Sequence, residues 1–194
     1  MGSQATIERR VDGGPRRHRL KVDDFLTLDR AGAFAGLGHV ELIDGEIFTV
    51  APLHAPHAWI QMELTVEIGL AVRQLPDYLA YTPVSAELDA NSLPEADIVV
   101  ARKGGEERFV TAAFVQLLVE VADSSLRHDL GRKLRLYARS GVPEYWVADV
   151  NGRRIIRFHA PAGEAYAERN EFAFGETIPA ATIPGLTVDT TRLA

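Results

Sequence analysis

One stretch of this sequence, residues 114–121, constrains the fold more than any other, because it is nearly all apolar over eight residues. A run of that length without polar alternation is typical of a central β-strand that is covered on both faces. Glu120 interrupts the run near its C-terminal end, and a carboxylate there is costly unless it has a positive partner or a metal. The stretch therefore predicts a buried central strand with a charged site at its end.

The other segments predict helices and strands in a mixed α/β order. Asp44-Gly45 lies between two short β-prone runs and predicts a hairpin, since both residues tolerate positive φ. Apolar residues at helical spacing predict helices over 57–74 and 129–139, and a shorter one begins near Val22. Strands are predicted over 78–82, 84–88, 97–101, 144–149 and 154–159, with a hairpin at Asn151-Gly152 and short β pieces in the tail. We expect one mixed α/β domain over 22–194 with β-hairpins towards both ends.

Length and composition restrict the class of protein. The chain has 194 residues, of which 46% are hydrophobic, which is ordinary for a single globular domain. It has no cysteine, which excludes a disulfide scaffold, a thiolate metal site and a cysteine nucleophile, and fits a cytoplasmic protein. No apolar run is long enough to span a bilayer, so we expect no membrane partner.

Charge is unevenly distributed along the chain. The net charge is −6, but residues 1–21 hold six basic and two acidic side chains, a net of +4, which leaves −10 for the remainder. We expect residues 1–21 to form a flexible basic arm, because they are polar and aperiodic. An acidic body is a poor general binder of nucleic acid, which argues against DNA unless a cation offsets the charge locally.

The predicted helix over 129–139 contains a lysine in an unusual place. At about 100° per residue, Lys133 falls inside the apolar arc, between Leu136 and Tyr137, while three arginines cluster opposite. A buried ammonium group is costly unless it meets an anion. The pattern therefore predicts a carboxylate beneath this helix, the alternative being that Lys133 extends along the edge of the arc to water.

The neighbouring strands supply candidate anions. Glu120 ends the apolar run, and Asp97 opens the strand before it. Ligands of α/β proteins gather at strand ends of this kind, and carboxylate oxygens suit Mg²⁺ or Mn²⁺. Together with Lys133, these carboxylates predict a hard-cation site, although Asp97 by itself could equally be an ordinary strand or turn end.

Several ordered motifs carry a resemblance to a known family. They are ELIDGE (41–46), Ala51-Pro52, His57, PEAD (94–97), EVADSS (120–125), Asp129, KLRLYAR (133–139) and GVPEYWVAD (141–149). In this order they resemble the Uma-two family of restriction endonucleases, which belongs to the PD-(D/E)XK nuclease superfamily. The resemblance covers residues 22–160, and the tail fits as well. It implies a restriction-endonuclease-like central mixed β-sheet that is flanked by helices.

The resemblance also implies roles for individual residues. Asp97 matches the motif aspartate, Glu120 the acidic residue on the next strand, and Glu41 an additional acidic residue of the site. In the standard pattern the lysine lies two residues after the acid, where this chain has Ala122. In the Uma-two family the lysine lies on the following helix, where Lys133 matches.

The metal ligands implied in this way are Asp97, Glu120 and the main-chain carbonyl of Val121, and His57 matches a histidine near the cleft. Asp123 and Glu46 are further candidates, but turn chemistry favours a structural role for both. Asp123 precedes a helix, and Glu46 flanks the Asp44-Gly45 turn.

The function implied by the resemblance is Mg²⁺-dependent or Mn²⁺-dependent hydrolysis of DNA phosphodiester bonds. Two alternatives remain open: a nuclease fold that binds or regulates with little catalysis, and an enzyme that acts on a small phosphodiester. Trp59, Tyr145 and Trp146 are expected in the core rather than as platforms for bases. A homodimer is expected by analogy with the superfamily.

Overall fold

The computed structural model describes residues 18–50, 52, 54–104 and 108–194. Most of the predicted arm, residues 1–17, lies outside the described residues, as do Ala51 of the Ala51-Pro52 motif and residues 53 and 105–107. No helix in the described part of the chain is long and apolar enough to cross a membrane.

The described elements follow one another in the mixed order that the sequence predicts. In the first half they are α1 (Val22–Arg30), β1 (Val40–Ile43), β2 (Glu46–Thr49), α2 (Ala55–Val72), β3 (Tyr78–Tyr81), β4 (Val84–Glu87), β5 (Glu95–Ala96), β6 (Ile98–Arg102) and β7 (Val110–Thr111). In the second half they are β8 (Val115–Ala122), α3 (Leu126–His128), a π-helical turn (Asp129–Lys133), α4 (Leu134–Arg139), β9 (Glu144–Asp149), β10 (Arg154–Ala162), β11 (Ala165–Ala173), β12 (Thr177–Pro179), β13 (Thr187–Asp189) and a 3₁₀ turn (Thr191–Leu193).

A six-stranded mixed sheet with the order β11-β10-β9-β8-β6-β3 forms the centre of the molecule. Strands β8 and β9 run parallel, and the other neighbours run antiparallel. Every residue of β8 is buried, which confirms the predicted central strand. The predicted fold class, a mixed α/β fold with a helix-flanked central sheet and hairpins on both sides, is confirmed.

Residues of the sheet alternate between two apolar cores, one on each face. Leu117, Val119 and Val121 join the core that α2 covers with Ile60 and Leu64. Leu118 and Ala122 join the core that Leu136 and Tyr137 of α4 cover. Because successive side chains of a strand point to opposite faces, Glu120 is directed to the α4 face. The alternation alone thus places the charged residue of β8 under the helix that carries Lys133.

The two predicted hairpins form, by different means. Asp44 and Gly45 both have positive φ, 56° and 73°, as a two-residue turn of this kind requires. The second turn spans four residues, and Arg153, with φ of 50°, adopts the left-handed conformation there. A Cβ at Gly152 would lie 2.2 Å from Oδ2 of Asp149, so a side chain here would require the Asp149 carboxylate to move.

Two details differ from the sequence-based expectation. The predicted helix over 129–139 begins earlier, at Leu126. A first helical turn follows Ser125 and continues into the π turn without a break. Tyr145 and Trp146 are fully buried as expected, but Trp59 is 44% exposed, so its placement in the core was wrong. Trp59 lies on the side of α2 that faces away from the sheet.

Gly45 lies where the hairpin meets the segment that leads into α1, and its replacement tests this packing. A Cβ at Gly45 would lie 2.5 Å from Cβ of Arg19, at a φ that already disfavours side chains. We expect Gly45→Ala to lower the free energy of unfolding by about 2–3 kcal/mol in chemical denaturation.

Gly36→Ala is the matched control, because Gly36 has a similar φ of +86° but nothing within 4 Å of an added Cβ. Gly36→Ala should lower the free energy of unfolding by about 1 kcal/mol, through backbone strain alone. Equal losses in the two variants would contradict close packing at Gly45.

Candidate active site

A cavity of about 740 Å³ opens where β6 begins and β8 ends, between the β1–β2 hairpin and the π turn. Its lining includes the predicted site residues Glu41, His57, Asp97, Glu120, Val121 and Lys133. It also includes Glu95 and Asp129, which sequence reasoning did not propose, and an apolar wall that contains Phe48. Separate elements thus bring most of the predicted residues together in one place.

Lys133 lies at the centre of the charged cluster and is only 5% exposed. Its Nζ donates to Oε1 of Glu41 at 2.9 Å and to Oε1 of Glu120 at 3.1 Å. A third, longer contact of 3.3 Å joins Nζ to the carbonyl of Glu95. Burial lowers the pKa of Lys133, but the charges of Glu120 and Glu41 outweigh it, so the pKa lies above its ordinary value. The lysine is therefore a charged group held between carboxylates, as the helical wheel predicts.

The π turn determines which side chains of this helix face the cluster. A π turn contains an extra residue relative to an α-helix, and such insertions are frequent at functional sites. Within it, Asp129 and Lys133 are buried whereas Arg132 is half-buried at the rim. Tyr137, four residues after Lys133, is fully buried and continues the same line into α4.

Glu120 receives two hydrogen bonds on the same oxygen. Lys133 is one donor, and the hydroxyl of Tyr137 is the other, at 2.5 Å from Oε1. Burial raises the pKa of Glu120 well above its ordinary value, since the attraction of Lys133 only partly offsets the loss of solvation. Glu120 therefore takes up a proton more readily than an exposed carboxylate does.

Asp97 is held at the strand end by the backbone of β8. Its Oδ2 accepts a hydrogen bond of 2.7 Å from the N–H of Val121. The same oxygen lies 3.6 Å from Nε2 of His57, near the start of α2. Burial lowers the pKa of His57, but the hydrogen bond and charge of Asp97 outweigh it and raise the pKa above its ordinary value. Nδ1 of His57 is buried without a partner among the described residues.

The two further candidates lie outside the cluster. Glu46 is exposed and forms an ion pair of 2.8 Å with Arg132. Asp123 accepts a hydrogen bond from Nδ2 of Asn151 and lies 3.2 Å from Nδ1 of His54, in a small pocket next to the cavity. The structural roles that turn chemistry favours for both residues stay predictions.

Asp129 is the buried acid that sequence reasoning did not propose as a site residue. It is 2% exposed, and its Oδ2 accepts a hydrogen bond of 2.6 Å from Oγ of Ser125. Burial raises the pKa of Asp129 from near 3.8 to about 6, although Lys133 and Ser125 act in the opposite direction. The sequence could have indicated Asp129 as a site residue, because residues four apart, such as Asp129 and Lys133, share one helix face.

The donor set fits a hard cation in its chemistry. The acidic groups offer oxygen atoms only, and no hydrogen bond among the described residues engages Oδ1 of Asp97 or Oε2 of Glu120. Within those residues, no three acidic or histidine side chains already surround a single point as a metal cage. Lys133 instead lies between Glu41 and Glu120, so a cation at Glu120 would share this carboxylate with the lysine.

The raised pKa of Asp129 predicts a pH dependence of stability. Between about pH 4 and pH 6 the folded protein keeps a proton on Asp129 that the unfolded chain releases, so stability from this group falls as the pH rises. In the wild type, the free energy of unfolding should fall by up to about 3 kcal/mol across this interval because of Asp129. We expect Asp129→Asn to abolish this fall. Denaturant titrations at several pH values measure it. Asp29→Asn, on the exposed side of α1, is the control, and an equal flattening of its pH profile would contradict the assignment to Asp129.

The hydrogen bond from Tyr137 predicts a second stability effect. Tyr137→Phe removes the donor to buried Glu120 and should lower the free energy of unfolding by about 1–3 kcal/mol at neutral pH. Tyr145→Phe is the control, because Tyr145 is equally buried but donates only a long bond of 3.3 Å to the carbonyl of Asp129. If Tyr145→Phe costs as much as Tyr137→Phe, the bond to Glu120 has no special weight.

Comparisons with known proteins identify the family of the chain and agree with its fold. The model of the Uma2 (Uma-two) family, described as "Putative restriction endonuclease", matches residues 22–191. The fold resembles the crystal structure of a putative nuclease belonging to DUF820 from Anabaena variabilis, with a TM-score of 0.69 and 17% identity, covering 90% of this chain and 97% of that chain. A search of the curated proteins finds no match. Because the family model matches most of the chain, the protein belongs to the Uma2 family.

Proposed function

We propose that this protein is a metal-dependent endonuclease that hydrolyses phosphodiester bonds of DNA in the cavity around Lys133. The observation that carries the proposal is the meeting of Glu41, Asp97 and Glu120 with a buried lysine around one cavity. A cluster of this composition provides both oxygen ligands for a cation and a fixed positive charge for a phosphate.

Asp97, Glu120 and the main-chain carbonyl of Val121 would hold Mg²⁺ or Mn²⁺. A divalent cation bound there would make a water molecule more acidic and offset the charge of the phosphate. The N–H of Val121 fixes Oδ2 of Asp97, which leaves Oδ1 for other ligands. His57, packed against the same carboxylate, would keep Asp97 oriented.

Lys133 would act on the substrate itself. Glu41 and Glu120 hold its ammonium group in place, and their charges keep it protonated. A charge that is oriented before the substrate arrives needs little reorganisation during the reaction. Lys133 would therefore orient the attacking water or stabilise the pentavalent phosphorane, and Glu41 would position Lys133.

The acidic body of the protein supports a requirement for cations. The chain outside residues 1–21 carries a net charge of −10, and the cavity adds several carboxylates at close range. A polyanion approaches such a surface only when the local charge is offset. A cation at the carboxylates would supply that offset where the phosphodiester has to bind.

Asp97→Asn tests the proposal with the least risk to the fold, because the amide oxygen can still accept the bond from Val121. We expect wild type to nick supercoiled plasmid in Mg²⁺ or Mn²⁺, and Asp97→Asn to do so at least about 100-fold more slowly. Calorimetry with Mn²⁺ alone should show binding to wild type and clearly weaker binding to both Asp97→Asn and Glu120→Gln.

Asp77→Asn is the control, since Asp77 is exposed and lies outside the cavity. Equal cleavage by wild type and Asp97→Asn would refute the site. A wild type that binds DNA without cleaving it would favour a binding or regulatory module. A melting temperature that rises with a nucleotide but not with DNA would favour a small phosphodiester as substrate.

A further inference from the structure

Helix α2 carries a line of exposed apolar side chains on the side that faces away from the sheet. We call it the outer stripe, and it consists of Trp59, Met62, Val66 and Leu70. Their exposed fractions are 44%, 47%, 44% and 50%. The residues recur at intervals of three or four, so they lie in one line along the helix. The opposite side of α2 packs into the core of the molecule.

The outer stripe contains no charged side chain. The charged residues of α2 are Glu63 and Glu67 alone, and Glu63 is buried against Arg192, with 3.0 Å between Oε2 and Nε. A helix that is apolar on all sides is typical of one that is buried on all sides. By this criterion α2 lacks a partner on its outer side among the residues that the structure describes.

The surface next to the outer stripe has the same character. Strand β3 lies at the edge of the six-stranded sheet beside α2, and within the described residues no strand pairs with its outer edge. The sequence of β3 (YLAY) is uncharged. Unpaired strand edges of this kind are usually covered or blocked by charge. The outer stripe and β3 together offer a larger uncharged area than the stripe alone.

We propose that a second copy of this chain covers the outer stripe, so that the protein is a homodimer in which α2 packs against α2 of its partner. The stripe exposes on the order of 300 Å² of apolar surface, as much as the largest patches of typical monomers. The adjacent edge of β3 would bring the interface closer to the roughly 800 Å² per partner of a stable complex.

A second copy fits this surface better than the other occupant the chain offers. Two acidic copies repel one another over most of their surfaces, and the uncharged stripe is where that repulsion is least. A single apolar line is also self-complementary, as a two-fold interface requires. Residues 1–17 match the stripe poorly, because they are rich in arginine and contain few large apolar side chains.

Charge reversal on the stripe tests the proposal. We expect wild type to sediment as a dimer at micromolar concentration, and Val66→Glu and Leu70→Glu to sediment as monomers with unchanged circular dichroism. Leu37→Glu is the matched control, because Leu37 is 49% exposed but lies outside α2, and it should stay dimeric. A monomeric wild type would overturn the proposal.

Cross-linking supplies a second measurement that does not depend on a disruptive variant. Since the chain has no cysteine, Val66→Cys carries one thiol in the middle of the stripe. Mild oxidation should convert Val66→Cys largely to a disulfide-linked dimer and leave Leu37→Cys monomeric under denaturing conditions. A wild-type dimer that resists both charge reversals, with no excess cross-linking of Val66→Cys over Leu37→Cys, would place the interface elsewhere and overturn the proposal.

Discussion

The ion pairs of buried Lys133 with Glu41 and Glu120 are the interaction on which the candidate site depends. The three residues come from the π turn, β1 and β8, so the ammonium group connects the N-terminal hairpin to the central sheet through the helix. Removing one partner of such a cluster leaves an uncompensated buried charge and typically costs about 3–5 kcal/mol, a large part of the roughly 5–15 kcal/mol by which domains are usually stable. The complete cluster therefore contributes to the stability of the fold as well as to the site.

Burying a charge cluster of this kind costs free energy, and the apolar packing of the sheet offsets that cost. Strand β8 is buried on both faces, so it supplies apolar contacts to two cores at once. That burial stabilises the fold by roughly 25 cal/mol for each Å² of apolar surface removed from water. Glu41, Asp97 and Glu120 lie at or near strand ends, which gathers their charge around one cavity. Functional residues at strand ends are the general solution of α/β proteins to this conflict.

Local sequence signals predicted much of this arrangement. Three features could be predicted because each depends on neighbouring residues alone. They are the apolar run of β8, the Asp44-Gly45 turn and the position of Lys133 in an apolar arc. The π turn was not readable, since no residue type marks the insertion. The exposure of Trp59 was missed because a helix that is apolar all round shows no preferred face, and its outward side is decided by tertiary packing. The bond from Tyr137 to Glu120 depends on how α4 crosses β8, which spacing within one segment cannot reveal.

The same lysine that stabilises the fold sets the conditions for a cation. Nζ of Lys133 and Oε1 of Glu120 are 3.1 Å apart, so any cation that binds Glu120 competes with an ammonium group or shares the carboxylate with it. Tyr137 engages the same oxygen as Lys133. The arrangement concentrates the internal partners on one oxygen and leaves Oε2 for an external ligand. The raised pKa of Glu120 adds a proton as a third competitor for this carboxylate. Metal affinity at this site should therefore strengthen with pH, as Glu120 loses its proton and a cation offsets the charge that burial disfavours.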